Sequence, residues 1–170
     1  MTCAIDSRDG LTFFEPAISS SPSAEDIEVF QSDSDGIKPG MTVAEGLPGG
    51  GWYTQILANY LGAKGTLYGV TYADRMWSMF DFATPEWIEK RLTTAGQFPE
   101  QVASYTHNGI TARGFTFEQV PENVQGTVDR VLLVRALHNL NRFEHLANTR
   151  TEALVSVHSM LKDDGLVGVV

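Results

Sequence analysis

The 170-residue sequence predicts an α/β fold built on a mainly parallel sheet. Three observations carry that prediction. Short apolar runs of strand length alternate with longer segments of helical spacing, as repeated strand–helix–strand units require. The run Lys38-Pro39-Gly40-Met41-Thr42-Val43-Ala44-Glu45-Gly46-Leu47-Pro48-Gly49-Gly50-Gly51-Trp52-Tyr53 reads as a turn, a buried strand, a glycine-rich loop and a helix start. In open α/β sheets that order builds a ligand site at the carboxyl end of the first strand. The length also suits one domain with a real core, and no internal repeat divides it.

Taken in order, residues 1–23 are irregular, and Ser19-Ser20-Ser21-Pro22-Ser23 reads as loop. Ser23 is placed to cap a short helix over residues 24–31, with Asp26 three residues on and Ile27 and Phe30 inward. With the turn before Ile37, this forms an acidic extension over residues 1–36, ahead of a domain over residues 37–170. Gly40 leads into the first strand, Thr42–Gly46. The spacing of Ile56, Leu57, Tyr60 and Leu61 predicts a helix over Trp52–Leu61, and Gly62 stands where a C-terminal cap glycine belongs. Thr66–Thr71 is the second strand. Residues 73–83 hold several aromatics without a period. Thr84 as N-cap and Pro85 at the first helical position start a helix running to Ala95, where Gly96 ends it. Residues 97–112 are weakly patterned and read as a connection. The third strand is placed at Gly114–Glu118 and the fourth at Val128–Val134. A long helix is expected over Arg142–Leu161, with Leu146, Leu154, Val157 and Leu161 inward. Leu166–Val170 is the fifth strand, where the chain stops.

The net charge is −9, unevenly placed. Residues 1–38 hold eight acids against Arg8 and Lys38, and residues 39–170 hold 13 acids and 10 bases. No basic stripe exists to displace counterions, which argues against nucleic acid as the main partner. No apolar run reaches membrane-spanning length. No basic-then-apolar leader is visible, and Cys3 is the only cysteine, so a cytoplasmic setting is expected.

Three consecutive glycines, Gly49, Gly50 and Gly51, are costly in chain entropy for a plain turn, which points to close approach of a ligand. The helix start behind them offers unpaired N–H groups to an anionic part of that ligand. The spacing is not the Gly-x-Gly-x-x-Gly of dinucleotide sites, and no Gly-Lys-Ser/Thr follows to make a phosphate loop. His107, His145 and His158 have no metal-ligand spacing with one another or with carboxylates, so no metal is expected.

Four blocks, in order, resemble class I S-adenosylmethionine-dependent methyltransferases. They are Lys38–Tyr53, Gly65–Val70, Val128–Asn139 and Leu161–Val170. Among these the chain is most similar to a bacterial group of predicted methyltransferases whose loop reads Pro-Gly-Gly-Gly-Trp-Tyr. The resemblance implies a three-layer αβα Rossmann-like sandwich and S-adenosylmethionine as cofactor. The enzymes resembled continue past the fifth strand with strands six and seven, which are missing here, so the chain reads as a fragment or a natural truncation. They also end the first strand in an acid followed by x-Gly-x-Gly-x-Gly. Glu45, Gly49 and Gly51 fit that pattern, and Leu47 replaces its first glycine. The acid that usually binds the ribose after the second strand is absent; Thr71 stands there, with Asp74 three residues later.

The resemblance gives several residues a candidate role beside an ordinary one. Glu45 either orients the loop and the amino-acid end of the cofactor or bonds loop N–H groups structurally. Trp52 and Tyr53 are core residues or place an aromatic face near the sulfonium. Glu118 is an adenine contact or an exposed loop acid. His138 is a substrate contact or general base, or simply solvent-exposed, and Arg135 binds an anionic substrate group or pairs with an acid such as Glu45. Asp129 reads as a surface or turn acid, and Trp77 and Trp87 as packing residues or part of a substrate lid. The expected function is methyl transfer to a small-molecule acceptor, the alternative a degenerate non-catalytic binding module of the same fold. Without further strands, the fifth strand is an open apolar edge, which predicts a homodimer through it or poor solubility.

Overall fold

The computed structural model describes residues 13–14 and 36–169. The loop at residues 19–23, the helix expected over residues 24–31 and Val170 lie outside the described residues. Six strands form one sheet: β1 (Phe13–Phe14), β2 (Thr42–Gly46), β3 (Thr66–Thr71), β4 (Thr111–Thr116), β5 (Val128–Leu133) and β6 (Leu161–Val169). Their order is β1-β6-β5-β2-β3-β4, and every adjacent pair is parallel. The helices are α1 (Trp52–Leu61), α2 (Pro85–Leu92), α3 (Thr94–Tyr105), α4 (Leu137–Asn141), α5 (Glu144–Ala147) and α6 (Thr149–Met160).

From β2 the chain winds outward to β3 and β4 on one side, then crosses back to β5 and β6 on the other. This is the doubly wound order, with its switch point between β2 and β5. It is the Rossmann-like αβα sandwich that the resemblance implies. Successive strand residues point to opposite faces, so each strand feeds two cores. Val43, Leu67 and Leu132 pack with Leu57, Leu61, Phe98 and Val102 of α1 and α3. Ala44, Val70, Val131 and Leu133 pack with Ala153, Val157 and Met160 of α6. Full burial of each large aliphatic side chain contributes about 1.5–3 kcal/mol.

The connection expected over residues 97–112 is instead mostly α3. Pro99 in its interior conceals it, because proline removes a backbone donor and crowds the carbonyl four residues back. That carbonyl belongs to Ala95, and the sheet accommodates it with glycine. A Cβ on Gly114 would stand 2.0 Å from the Ala95 oxygen, and one on Gly69 2.3 Å from the Phe98 ring. Gly69 and Gly114 are register partners on β3 and β4, so together they form a trough without side chains in which α3 lies.

Other boundaries also differ from expectation. The helix that starts at Pro85 ends at Leu92, and Gly96 falls in the first turn of α3 rather than ending a helix. β4 begins at Thr111, ahead of the predicted Gly114, and ends at Thr116. The long helix expected over Arg142–Leu161 is two helices, α5 and α6, with the short α4 ahead of them. Asn148 takes a left-handed φ of 50° between the last two, and Glu144 accepts the N–H groups of Arg150 (2.6 Å) and Thr151 (3.1 Å) at the start of α6. Leu146 is therefore exposed, Val157 is buried, Leu154 is partly buried, and Leu161 opens β6. The register of β5 with β6 jumps from Val128–Leu161 to Arg130–Leu166, so Lys162–Gly165 bulges from the ladder. The edge expected to be open is not free throughout, since Val167 and Gly168 pair with Phe13 and Phe14 of β1.

The trough makes two glycines of α3's surroundings behave oppositely. Gly114→Ala is expected to destabilise by about 1–3 kcal/mol through overpacking against backbone. Gly96→Ala, whose added Cβ meets nothing within 4 Å, is expected to stabilise by up to about 1 kcal/mol as a helical position. Urea denaturation reads both, and an unchanged midpoint for Gly114→Ala would refute the trough.

Candidate functional site

The chain leaves the sheet at the switch point under strain. Leu47 follows β2 with φ 56° and Arg135 follows β5 with φ 50°. Neither is glycine, and a left-handed backbone costs such residues on the order of 1–2 kcal/mol each. Leu47, in the place of the first glycine of the expected pattern, donates its N–H to the Val70 carbonyl at 2.8 Å. The loop then closes with a bond from Gly51 N–H to the Pro48 carbonyl at 2.9 Å. α3 holds it from outside: the Tyr105 hydroxyl donates to the Gly50 carbonyl at 3.2 Å, and Gln101 Nε2 donates to that hydroxyl at 3.3 Å.

The three glycines have different reasons to be glycine. Gly51 has φ 80°, and a Cβ there would lie 2.3 Å from the Tyr105 hydroxyl, so packing and conformation both require it. Gly49 has φ 55° and serves the turn, with only the Leu47 carbonyl near its Cβ position, at 3.8 Å. Gly50 has no left-handed φ, and a Cβ there would meet nothing within 4 Å. Backbone conformation explains two of the three, with packing added at Gly51; the third faces open space. Behind the loop, the first turn of α1 has no side-chain cap, so its orphan N–H groups suit an anionic ligand group.

Beside this loop lies a cleft of about 310 Å³, within the range of small-molecule sites. Leu47, Pro48, Gly49 and Thr71 line its sheet end, and Tyr72, Trp77, Phe80, Trp87, Arg91 and Asn139 line much of the rest. Two buried side-chain atoms lack a partner among the described residues, Trp77 Nε1 and Thr116 Oγ1, and both stand beyond or at the carboxyl ends of β3 and β4. Unsatisfied buried polar atoms are rare in folded proteins and mark places where a ligand or ion completes the bonding.

Glu45 ends up beneath the cleft rather than in it. It is 2 % exposed, and its Oε2 accepts the Thr54 hydroxyl of α1 at 2.6 Å. Its structural bond is thus to a helix side chain, not to loop N–H groups, and it does not pair with Arg135. Burial pushes its carboxyl up to about 7, and the Thr54 bond opposes that rise.

The other candidates divide. Thr71 lines the cleft, whereas Asp74 is half-buried and does not. Tyr53 packs against the α1 core, and Trp52 is exposed, edge-on to Tyr53 at 5.0 Å. Glu118 pairs with Arg75 at 3.0 Å and lines a separate cavity of about 260 Å³ with Met76, Phe117 and Glu152. Arg135 and His138 are exposed and line neither cavity; Asn139, the next residue, lines the cleft. Asp129 is a bridging acid that accepts from Thr42 N–H at 2.8 Å and Lys162 Nζ at 2.6 Å. Sequence reading missed Tyr72, Phe80, Arg91 and Asn139. The one available signal was the aperiodic run of aromatics after the second strand. Among the described residues no group of three His, Cys, Asp or Glu is placed to hold a metal, and no helix is long and apolar enough to cross a membrane.

No family profile and no curated protein matches the sequence. Solved structures resemble the fold at low identity. They include a SAM-dependent methyltransferase from Aquifex aeolicus (19% identity, TM-score 0.44, covering 75% of this chain and 54% of that one). They also include the [4+2]-cyclase SpnF (14%, TM-score 0.46, 78% and 39%) and the antibiotic-resistance methyltransferase Kmr (13%, TM-score 0.46, 90% and 68%). The chain spans about half the length of the Aquifex structure.

The buried carboxyl sets a pH dependence. A carboxyl raised on folding adds stability that is complete below its unfolded value of 4.5 and is lost as pH rises through about 7. Glu45→Gln should therefore flatten the stability profile between these limits and be the more stable form at pH 8, by up to about 3 kcal/mol. Parallel profiles for both proteins in urea titrations across pH would refute the assignment.

Proposed function

We propose that this chain binds S-adenosylmethionine in the cleft beside the Gly49–Gly51 loop and transfers its methyl group to a small-molecule acceptor. The observation that carries the reading is Gly50, the loop glycine with no structural reason to lack a side chain. The residues present suit such a cofactor. The uncapped start of α1 and the loop backbone would hold its amino-acid end, and Thr71 would meet its ribose in place of the missing acid. Thr71 donates only a long 3.4 Å bond to the Tyr72 carbonyl, which leaves its hydroxyl oxygen able to accept. Glu45, buried below and readily ionised near neutral pH, would favour a cationic ammonium group above it.

When bound, the cofactor supplies a methyl group on a sulfonium sulfur, which an acceptor lone pair displaces as a neutral thioether. The chain's own work is positioning and exclusion of water. Asn139 and the aromatic wall hold the acceptor against the loop. The proton of a hydroxyl acceptor goes to water or to the exposed His138 one residue away from Asn139.

Calorimetric titration with S-adenosylmethionine, S-adenosylhomocysteine and NADH tests the reading. Micromolar binding of the two sulfur compounds and none of NADH is expected. Gly50→Val should weaken that binding roughly tenfold or more while leaving the unfolding midpoint unchanged. Gly51→Val is a poor control, since it strains the loop against Tyr105. A folded wild-type protein that binds neither sulfur compound would overturn the proposal.

A further inference from the structure

The cleft has a second wall, and its chemistry narrows the acceptor. Tyr72, Trp77, Phe80 and Trp87 stand in one continuous aromatic group: Tyr72 meets Trp77 at 4.7 Å, and Trp77 meets Trp87 at 5.6 Å and Phe80 at 6.2 Å. Trp77, Phe80 and Trp87 belong to neither core cluster of the sheet. Their contacts with one another run along the lining of the cleft. Trp77 is 7 % exposed, and its indole N–H has no acceptor among the described residues.

Aromatic walls of this kind often hold cations, because ring faces attract them. Here guanidinium groups already lie over one side of these rings. The Arg91 guanidinium lies 4.9 Å from the Trp87 ring and 5.9 Å from Trp77, and that of Arg142 lies 5.4 Å from Phe80. A cationic ligand in the cleft would meet the Arg91 guanidinium. The Arg91 guanidinium has no ion pair and no hydrogen bond among the described residues, and of these Arg91 is the one charged residue lining the cleft. In a chain of net charge −9, the cleft carries a cation and no carboxylate. The Arg91 fork and the Trp77 N–H are donors without an acceptor among the described residues, and aromatic rings line the cleft beside them.

We propose that the acceptor is a planar aromatic compound carrying an anionic substituent, a ring acid such as an aryl carboxylate. Its ring lies against Trp77, Phe80 and Trp87, and its anionic group is held by Arg91. Naming this ligand the acceptor rests on the methyl-transfer reading above; its binding does not. Arg91 belongs to α2, where the guanidinium stacks on the rings and keeps its donors free for a carboxylate, which a planar fork can engage twice.

Benzoate is the probe, read by tryptophan fluorescence in a Trp52→Phe background, with cyclohexanecarboxylate and phenyltrimethylammonium as matched comparisons. S-adenosylhomocysteine binding is measured separately by calorimetry. Benzoate should quench and saturate, cyclohexanecarboxylate should bind more weakly, and phenyltrimethylammonium should not bind. Arg91→Met, an exposed substitution that keeps the stem, should weaken benzoate roughly 10- to 100-fold and leave S-adenosylhomocysteine unchanged. Trp77→Phe should weaken benzoate by less. Equal binding of phenyltrimethylammonium, or no effect of Arg91→Met, would overturn the proposal. So would displacement of S-adenosylhomocysteine by benzoate, since the wall would then be the cofactor's own. Bound S-adenosylhomocysteine without benzoate binding defeats the ring-acid site alone. Benzoate binding without S-adenosylhomocysteine defeats the methyl-transfer reading and leaves the ring-acid site standing.

Discussion

The seat of α3 on two glycines governs much of this molecule. Phe98 and the Ala95 carbonyl occupy the space that side chains on Gly69 and Gly114 would fill. That close approach carries α3 across β3 and β4 and brings its far end, Gln101 and Tyr105, against the loop after β2. The hydroxyl of Tyr105 then fixes the Gly50 carbonyl, and Gly51, with φ 80°, sits where glycine is strongly favoured. A local steric rule at mid-sheet thus sets the shape of a loop at the sheet's edge. Pro99 strengthens the arrangement, because the carbonyl it leaves without a helical partner is the one that lies on Gly114.

The carboxyl edge of the sheet concentrates features that ordinary packing avoids. Two non-glycine residues with left-handed backbones flank the switch point. Two buried polar atoms lack partners nearby, and a carboxyl is held in the interior with a single hydroxyl for company. Each costs stability, and the opposite, amino edge of the sheet is instead bridged conventionally by Asp129 to Thr42 and Lys162. The asymmetry follows the general logic of open α/β sheets, in which strand ends supply a rigid frame and the loops beyond them carry strain and function. The 3₁₀ turn over Asp74–Met79 divides that edge into two hollows. Arg75 and Met76 face one, closed by ion pairs with Glu118 and Glu152, and Trp77 faces the other, where Arg91 is unpaired.

Much of the frame was legible in the sequence. Local pattern determined β2, α1 and β3 to the residue, because apolar spacing, Gly62 and the Thr84–Pro85 start are short-range signals that act through the backbone itself. The loop after β2 was legible for the same reason: glycines in a row between a buried strand and an amphipathic helix have few uses. Local signals failed where tertiary contacts compensate for a local cost. α3 was invisible because Pro99 contradicts a helix until Gly114 is seen beneath it. The break at Asn148 was invisible because Glu144 supplies the missing bonds from across the turn. Which residues share the cleft was decided only by the fold. Asn139 enters it and His138 does not, since a short helix turns successive side chains about a quarter-circle apart. Trp77, Trp87 and Arg91 lie up to 14 positions apart in sequence and meet only when α2 folds back over the strand end. The sequence determined that a glycine loop stands between the first core strand and its helix; the tertiary structure alone decided what faces it, because side-chain direction beyond the sheet edge depends on packing between elements that no local pattern encodes.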